Sequence, residues 1–67
     1  MRVLGIDPAL SNLGYGIIES VSPKIQFIAS GTIKTKPNID MHLRLHQIYN
    51  EVSKIVEIYK PEMIAME

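Results

Sequence analysis

The 67 residues contain no cysteine, no tryptophan and a single phenylalanine. Without cysteine, neither a disulfide framework nor a Cys-based zinc site can hold the fold together. Charge of one sign is also missing, because seven Lys and Arg balance seven Asp and Glu. That excludes a nucleic-acid module held by basic charge alone, although an acidic metal site beside local basic patches remains compatible with DNA. Apolar runs are only a few residues long, too short for a membrane span, and no signal-peptide core precedes Asp7. Disorder is disfavoured by a hydrophobic content of 46%. A chain this short buries only about 60% of its unfolded surface. It also stops straight after the apolar run Met63-Ile64-Ala65-Met66, so it reads as part of something longer.

Four strands and one helix are expected. Residues 2–7 form a short apolar strand ended by Pro8, and 8–12 read as a turn. Residues 14–20 and 25–34 read as two more strands, separated by a break around Pro23, and short links make an antiparallel meander. Gly31 hints at a bulge. Asn38 or Asp40 can cap a helix near 39–59, which Pro61 ends. Its apolar stripe predicts Met41, Leu45, Ile48, Val52, Ile55 and Val56 as the buried set, with Tyr49 and Tyr59 on the same stripe. Residues 63–67 form the fourth strand.

The order is β-β-β-α-β, so the fold class is α/β with a mixed sheet. The helical crossover makes strands three and four parallel. Strand four is then parallel to strand one, and pairing between them gives the order 3-2-1-4. Asp7 and Glu67 would close two neighbouring parallel strands at their carboxyl ends, where open α/β sheets place ligands. Two close carboxylates repel unless a cation neutralises them, and Mg²⁺ prefers hard oxygen donors. The pair is therefore the candidate metal and catalytic site, with a turn-starting Asp and a solvated Glu as the plain alternative.

Gly14 and Gly16 either open space for a phosphate backbone or serve close strand packing. Lys34 and Lys36 read as solvated loop residues. His42 and His46 share a helix face but have no third ligand to complete a metal site.

Gly5-Ile6-Asp7-Pro8-Ala9-Leu10, Asn12-x-Gly14-Tyr15-Gly16, Gly31-Thr32-Ile33-Lys34-Thr35, Arg44-Leu45-x-x-Ile48-Tyr49 and Lys60-Pro61-x-x-Ile64-Ala65-Met66-Glu67 run through the whole chain in order. Together they resemble the RuvC family of bacterial Holliday-junction resolvases. The resemblance implies a ribonuclease H-like fold, with residues 1–67 as the amino-terminal part of a single nuclease domain. It implies a cytoplasmic homodimeric endonuclease that nicks four-way DNA junctions symmetrically in recombination and repair, leaving 5′ phosphates. It also implies two Mg²⁺ ions per site and partnership with the RuvA–RuvB branch-migration complex. Asp7 and Glu67 match two of the family's four acidic residues. The other two are expected beyond residue 67, so these 67 residues alone are expected to be inactive. Ala9 stands where the family usually has Gly, which puts the shape of that turn in question, and Met66 replaces a β-branched residue. The rival readings are an ATP-binding domain of the actin and sugar-kinase type, for which Pro8-Ala9-Leu10-Ser11 is a poor phosphate cradle, a RuvX-like ribonuclease H-fold nuclease, and a non-enzymatic module.

Overall fold

The computed structural model describes residues 1–8 and 11–67. The Ala9 turn lies outside them. Strands β1 (Arg2–Asp7), β2 (Asn12–Val21) and β3 (Lys24–Lys34) precede helix α1 (Met41–Tyr59) and strand β4 (Met63–Met66). The sheet order is β3-β2-β1-β4, with β1 antiparallel to β2 and parallel to β4. This is the order expected when β4 pairs with β1, to which the crossover makes it parallel.

Strand β2 starts two residues earlier than expected and runs into β3 through Ser22 and Pro23 alone. The irregularity in that hairpin does not fall at Gly31. Ile17 pairs with Ala29 and Ile18 with Phe27, so Ile28 is the extra residue. Gly31 pairs regularly with Tyr15 for another reason: a Cβ there would come within 2.6 Å of the Tyr15 hydroxyl oxygen. The tyrosine ring lies across the space that the missing side chain leaves.

Strand pleating sends alternate residues to opposite faces. Leu4, Ile6, Leu13, Ile17 and Ile33 share the face that α1 covers, and with Ile55 they form the buried core. Ile48, Val52, Val56 and Tyr59 pack around it.

The helix sits differently from the expectation. Met41, Leu45 and Tyr49 are exposed, and the helix residues buried against the sheet are Arg44 and Ile55. At 3.6 residues per turn, Leu45 and Tyr49 lie about 100° and 140° around the cylinder from Arg44, while Ile48, Val52, Ile55 and Tyr59 stay within about 80° of it. Met41, at about 60°, falls in the same arc but stands at the first residue of the helix, and Val56, at about 120°, still packs at the edge of the core.

Asp40 holds the N-cap position without a side-chain cap; its carbonyl accepts from the Leu43 and Arg44 amides. Lys60 leaves the helix in the left-handed region with φ of 50°. The cation at the helix C-terminus comes from β1 instead, since Arg2 Nη1 donates to the Tyr59 carbonyl at 2.9 Å. Arg2 Nε also pairs with Glu19 at 3.1 Å, and the Glu62 amide donates to the Arg2 carbonyl. Arg2 thus ties β1 to β2, to the helix end and to the entry of β4. No helix among the described residues is long and apolar enough to cross a membrane.

Candidate active site

The site is built from the rows of β1, β2 and β4 that face away from α1. Along β1, Leu4 and Ile6 enter the core, so Val3, Gly5 and Asp7 take the other face. Gly5 is flanked by Gly16 on β2 and Ala65 on β4. That rung carries nothing larger than a methyl group. One pleat on, Asp7 is flanked by Gly14. On its other side the ladder continues past the Ile6–Met66 rung, and the Glu67 amide donates to the Ile6 carbonyl at 3.1 Å. This bond carries the parallel register one residue beyond β4 and brings Glu67 beside Asp7. Neighbouring strands lie about 4.8 Å apart, so the two carboxylates leave adjacent strand ends on the same face.

A cavity of about 430 Å³ opens over these rows, lined by Gly5, Ile6, Asp7, Gly14, Tyr15, Gly16, Ala65, Met66 and Glu67. Its floor is low because three strands carry glycine or alanine at matching positions. The glycines are not forced by strand packing. A Cβ on Gly14 would meet its nearest neighbour, the Asp7 Cβ, at 3.9 Å, and one on Gly16 would meet the Ala29 carbonyl at 3.9 Å. Both are ordinary contacts, so of the two readings of these glycines the geometry supports open space.

Asp7 and Glu67 are exposed. Among the described residues, no hydrogen bond or ion pair engages the Asp7 carboxylate, and no group of three His, Cys, Asp or Glu residues forms. The donor set at the cavity is two hard oxygen acids with no nitrogen or sulfur ligand. That chemistry suits an Mg²⁺-type cation as part of a larger ligand set, and it does not suit a zinc centre. His42 and His46 are exposed on α1, and Lys34 and Lys36 are exposed at and after the end of β3.

A second polar constellation lies on the α1 side of the sheet. The guanidinium of Arg44 is buried, with Nε donating to Thr35 Oγ1 at 3.1 Å and Nη2 donating to Ser11 Oγ at 2.9 Å. Its sequence signal is an arginine at the helical spacing of Ile48, Val52 and Ile55, which a hydrophobic-or-polar reading discards.

A family model described as crossover junction endodeoxyribonuclease RuvC matches residues 3–67. The chain is 45% identical to the crossover junction endodeoxyribonuclease RuvC of Syntrophomonas wolfei and 43% identical to that of Ralstonia pickettii, in each case over all 67 residues. It spans 39% of the first and 37% of the second. Among solved structures, RuvC of T. thermophilus in complex with a Holliday junction substrate superposes with a TM-score of 0.89 at 30% identity, over 98% of this chain and 41% of that one. A Ppx/GppA enzyme of Aquifex aeolicus superposes with a TM-score of 0.75 at 18% identity, covering 98% of this chain and 25% of that one. The second likeness shows the fold alone. The architecture is ribonuclease H-like.

Proposed function

The chain belongs to the RuvC family of crossover junction endodeoxyribonucleases, and from that premise we propose that the intact protein cuts four-way DNA junctions with Asp7 and Glu67 as two of its metal-holding carboxylates. The observation that carries the reading is the parallel β1–β4 register, extended by the Glu67 amide, which sets both acids at the mouth of one glycine-floored cavity.

Each residue at the site has a task. Asp7 and Glu67 provide paired negative charge that attracts a hard cation. Gly5, Gly14 and Gly16 keep the floor clear of side chains, so a sugar–phosphate backbone can come down to the carboxylates. When bound, divalent metal, proposed as two Mg²⁺ ions, activates water and stabilises charge on the phosphate and the leaving oxygen. Asp7, whose strand lies inside the sheet, is the central ligand of the pair; Glu67 completes one side. The remaining ligands come from the part of the protein outside residues 1–67. The same reading makes the intact protein a cytoplasmic homodimer that acts with the RuvA–RuvB complex, nicks symmetrically and leaves 5′ phosphates. An ATP-binding role is not favoured, because the residues after Asp7 do not supply a glycine-rich phosphate cradle.

Substitution of Asp7 by Asn in the intact protein tests the reading. Junction binding in a gel-shift assay should stay near wild type, while Mg²⁺-dependent nicking falls to background. The charge lost is a metal ligand; the contacts to the DNA backbone remain. Near-normal nicking by Asp7→Asn would remove that residue from the metal site.

A further inference from the structure

Strand β4 has four residues, all of them exposed, and it meets β1 through four pairs, from Val3–Met63 to Ile6–Met66. Leu4 and Ile6 enter the core, so Ile64 and Met66 take the α1 side and Met63 and Ala65 take the other. Both sides of β4 are therefore apolar, and the alternation that usually pins a strand's register is missing. Ladder bonds do not choose a register either, because every residue of β4 offers the same N–H and C=O. Yet the register decides the site. A slip of one residue would send Glu67 to the face that α1 covers. A slip of two would keep it on the open face but move it about 6.6 Å along the sheet, away from Asp7.

A side-chain contact at the entry of the strand breaks that degeneracy. Glu62, the residue before β4, accepts the Arg2 amide on Oε1 at 3.1 Å, and its own amide donates to the Arg2 carbonyl at 2.8 Å. The two bonds close a ring between one residue of each segment. The paired ladder begins only at Val3–Met63, and Lys60 is held in the left-handed helix end by the Val56 carbonyl. The Glu62 carboxylate thus stands in for a strand carbonyl. Arg2 is a fixed point, because its backbone pairs with Glu19 on β2 and its guanidinium donates to the Glu19 carboxylate and the Tyr59 carbonyl. Glu67 lies five residues beyond Glu62, and its amide meets the Ile6 carbonyl in this register. We propose that Glu62 is a positioning residue: by closing on the Arg2 amide it sets the register of β4 that brings Glu67 beside Asp7. The proposal rests on the reading of Asp7 and Glu67 as a metal site, and it adds to that site a residue at the opposite end of the strand.

The test uses the intact protein with Glu62→Ala, Glu62→Gln, Glu67→Gln and the double variant Glu62→Ala with Glu67→Gln. Mg²⁺ binding is titrated by calorimetry without DNA, and hydrogen exchange is followed at the Glu67 amide. Glu62→Ala deletes the acceptor. It should weaken Mg²⁺ binding and lower protection of the Glu67 amide, each by about 5-fold, as the loss of one hydrogen bond gives. Glu62→Gln keeps an acceptor oxygen at the same reach and loses only the charge, so it should stay within twofold of wild type in both. Because Glu62 acts through Glu67, adding Glu62→Ala to Glu67→Gln should weaken Mg²⁺ binding no further. Should Glu62→Ala fail to fold, Glu62→Leu, which keeps the aliphatic stem without the acceptor, takes its place. Glu67 amide protection or Mg²⁺ affinity within twofold of wild type in Glu62→Ala overturns the proposal. So does an equal loss of affinity in the Glu67→Gln background, which would make Glu62 a residue of general stability, and so does Glu62→Gln falling as far as Glu62→Ala. If Glu67→Gln binds Mg²⁺ as wild type does, the metal-site reading itself fails, and amide protection at Glu67 still decides whether Glu62 sets the register.

Discussion

The two faces of the β3-β2-β1-β4 sheet are made from neighbouring residues of the same strands, yet they obey different constraints. Leu4 and Ile17 are almost wholly buried against α1. Their chain neighbours Gly5 and Gly16 pair with each other on the reverse side and carry no side chain at all. The packed face is limited by volume, because its side chains interdigitate at high density. The open face is limited by what must approach it. Glycine shows the difference most clearly. Gly31 on the packed face is required by its neighbour, since the Tyr15 ring occupies the place of a Cβ. Gly14 and Gly16 on the open face would accept a Cβ at ordinary distances. Their reason is therefore the cavity and not the fold.

The largest test of this contrast is chemical. Asp7→Asn on the open face should lower nicking by at least about 10²-fold while leaving unfolding by denaturant unchanged or slightly displaced toward stability, because like charges beside Glu67 are reduced. Next comes the packed face. Ile17→Ala should cost about 2–5 kcal/mol in a denaturant titration, with metal affinity of the folded protein unchanged. A pair of glycine changes then separates the faces at equal chemistry. Gly31→Ala should cost about 1–3 kcal/mol, since the ring of Tyr15 must swing away, and the same change in a Tyr15→Ala background should cost much less. Gly14→Ala should alter stability by no more than about 1 kcal/mol and still slow nicking. Equal stability losses at Gly31 and Gly14 would erase the distinction. The smallest effect concerns pH. The Met1 ammonium, then Arg2, donates to the Glu19 carboxylate and holds its pKa below the ordinary 4.5. A carboxyl lowered on folding adds stability that is fully present above 4.5 and fades as pH falls through the lowered value. Glu19 is only partly buried, so screening by solvent keeps the effect slight. Thermal melts of Glu19→Gln should lie slightly below wild type above that range, converge with it as pH falls, and so lose part of the acid-side slope.

Much of this arrangement is legible in the sequence. Pro8, Pro23 and Pro61 mark the ends of strands and helix, and a right-handed crossover admits few sheet orders, so β3-β2-β1-β4 and the Asp7–Glu67 juxtaposition followed from pattern and topology. The family resemblance, carried by motifs from Gly5 to Glu67, agrees with the comparisons. The role proposed for Asp7 and Glu67 as ligands is a chemical matter that pattern alone does not decide. The errors have one root, which is that hydrophobicity stands in poorly for position. Leu45 belongs to the apolar stripe but is turned about 100° from Arg44, and Met41 is exposed at the first residue of the helix. Arg44 is charged, which argues against a core position, yet two hydroxyls within reach make its burial tolerable. Gly31 looked like a bulge residue because a strand glycine has several causes, and the ring of Tyr15 is visible only in three dimensions.

The parallel contact between β1 and β4 also has a consequence in time. Asp7 and Glu67 stand sixty positions apart in the chain, whereas the meander of β1, β2 and β3 closes through short connections. Closing a longer loop costs more entropy, by about 0.6 kcal/mol for each doubling of length, and non-local pairings form slowly. During synthesis at roughly 5–20 residues per second, the meander is complete seconds before residue 67 has left the ribosome. The acidic pair therefore comes into being only after the helix has crossed over and β4 has docked. A cation that binds both carboxylates then adds its binding energy to the last-formed contact. Metal occupancy at this site would report that the crossover has closed, which no contact within the meander can do.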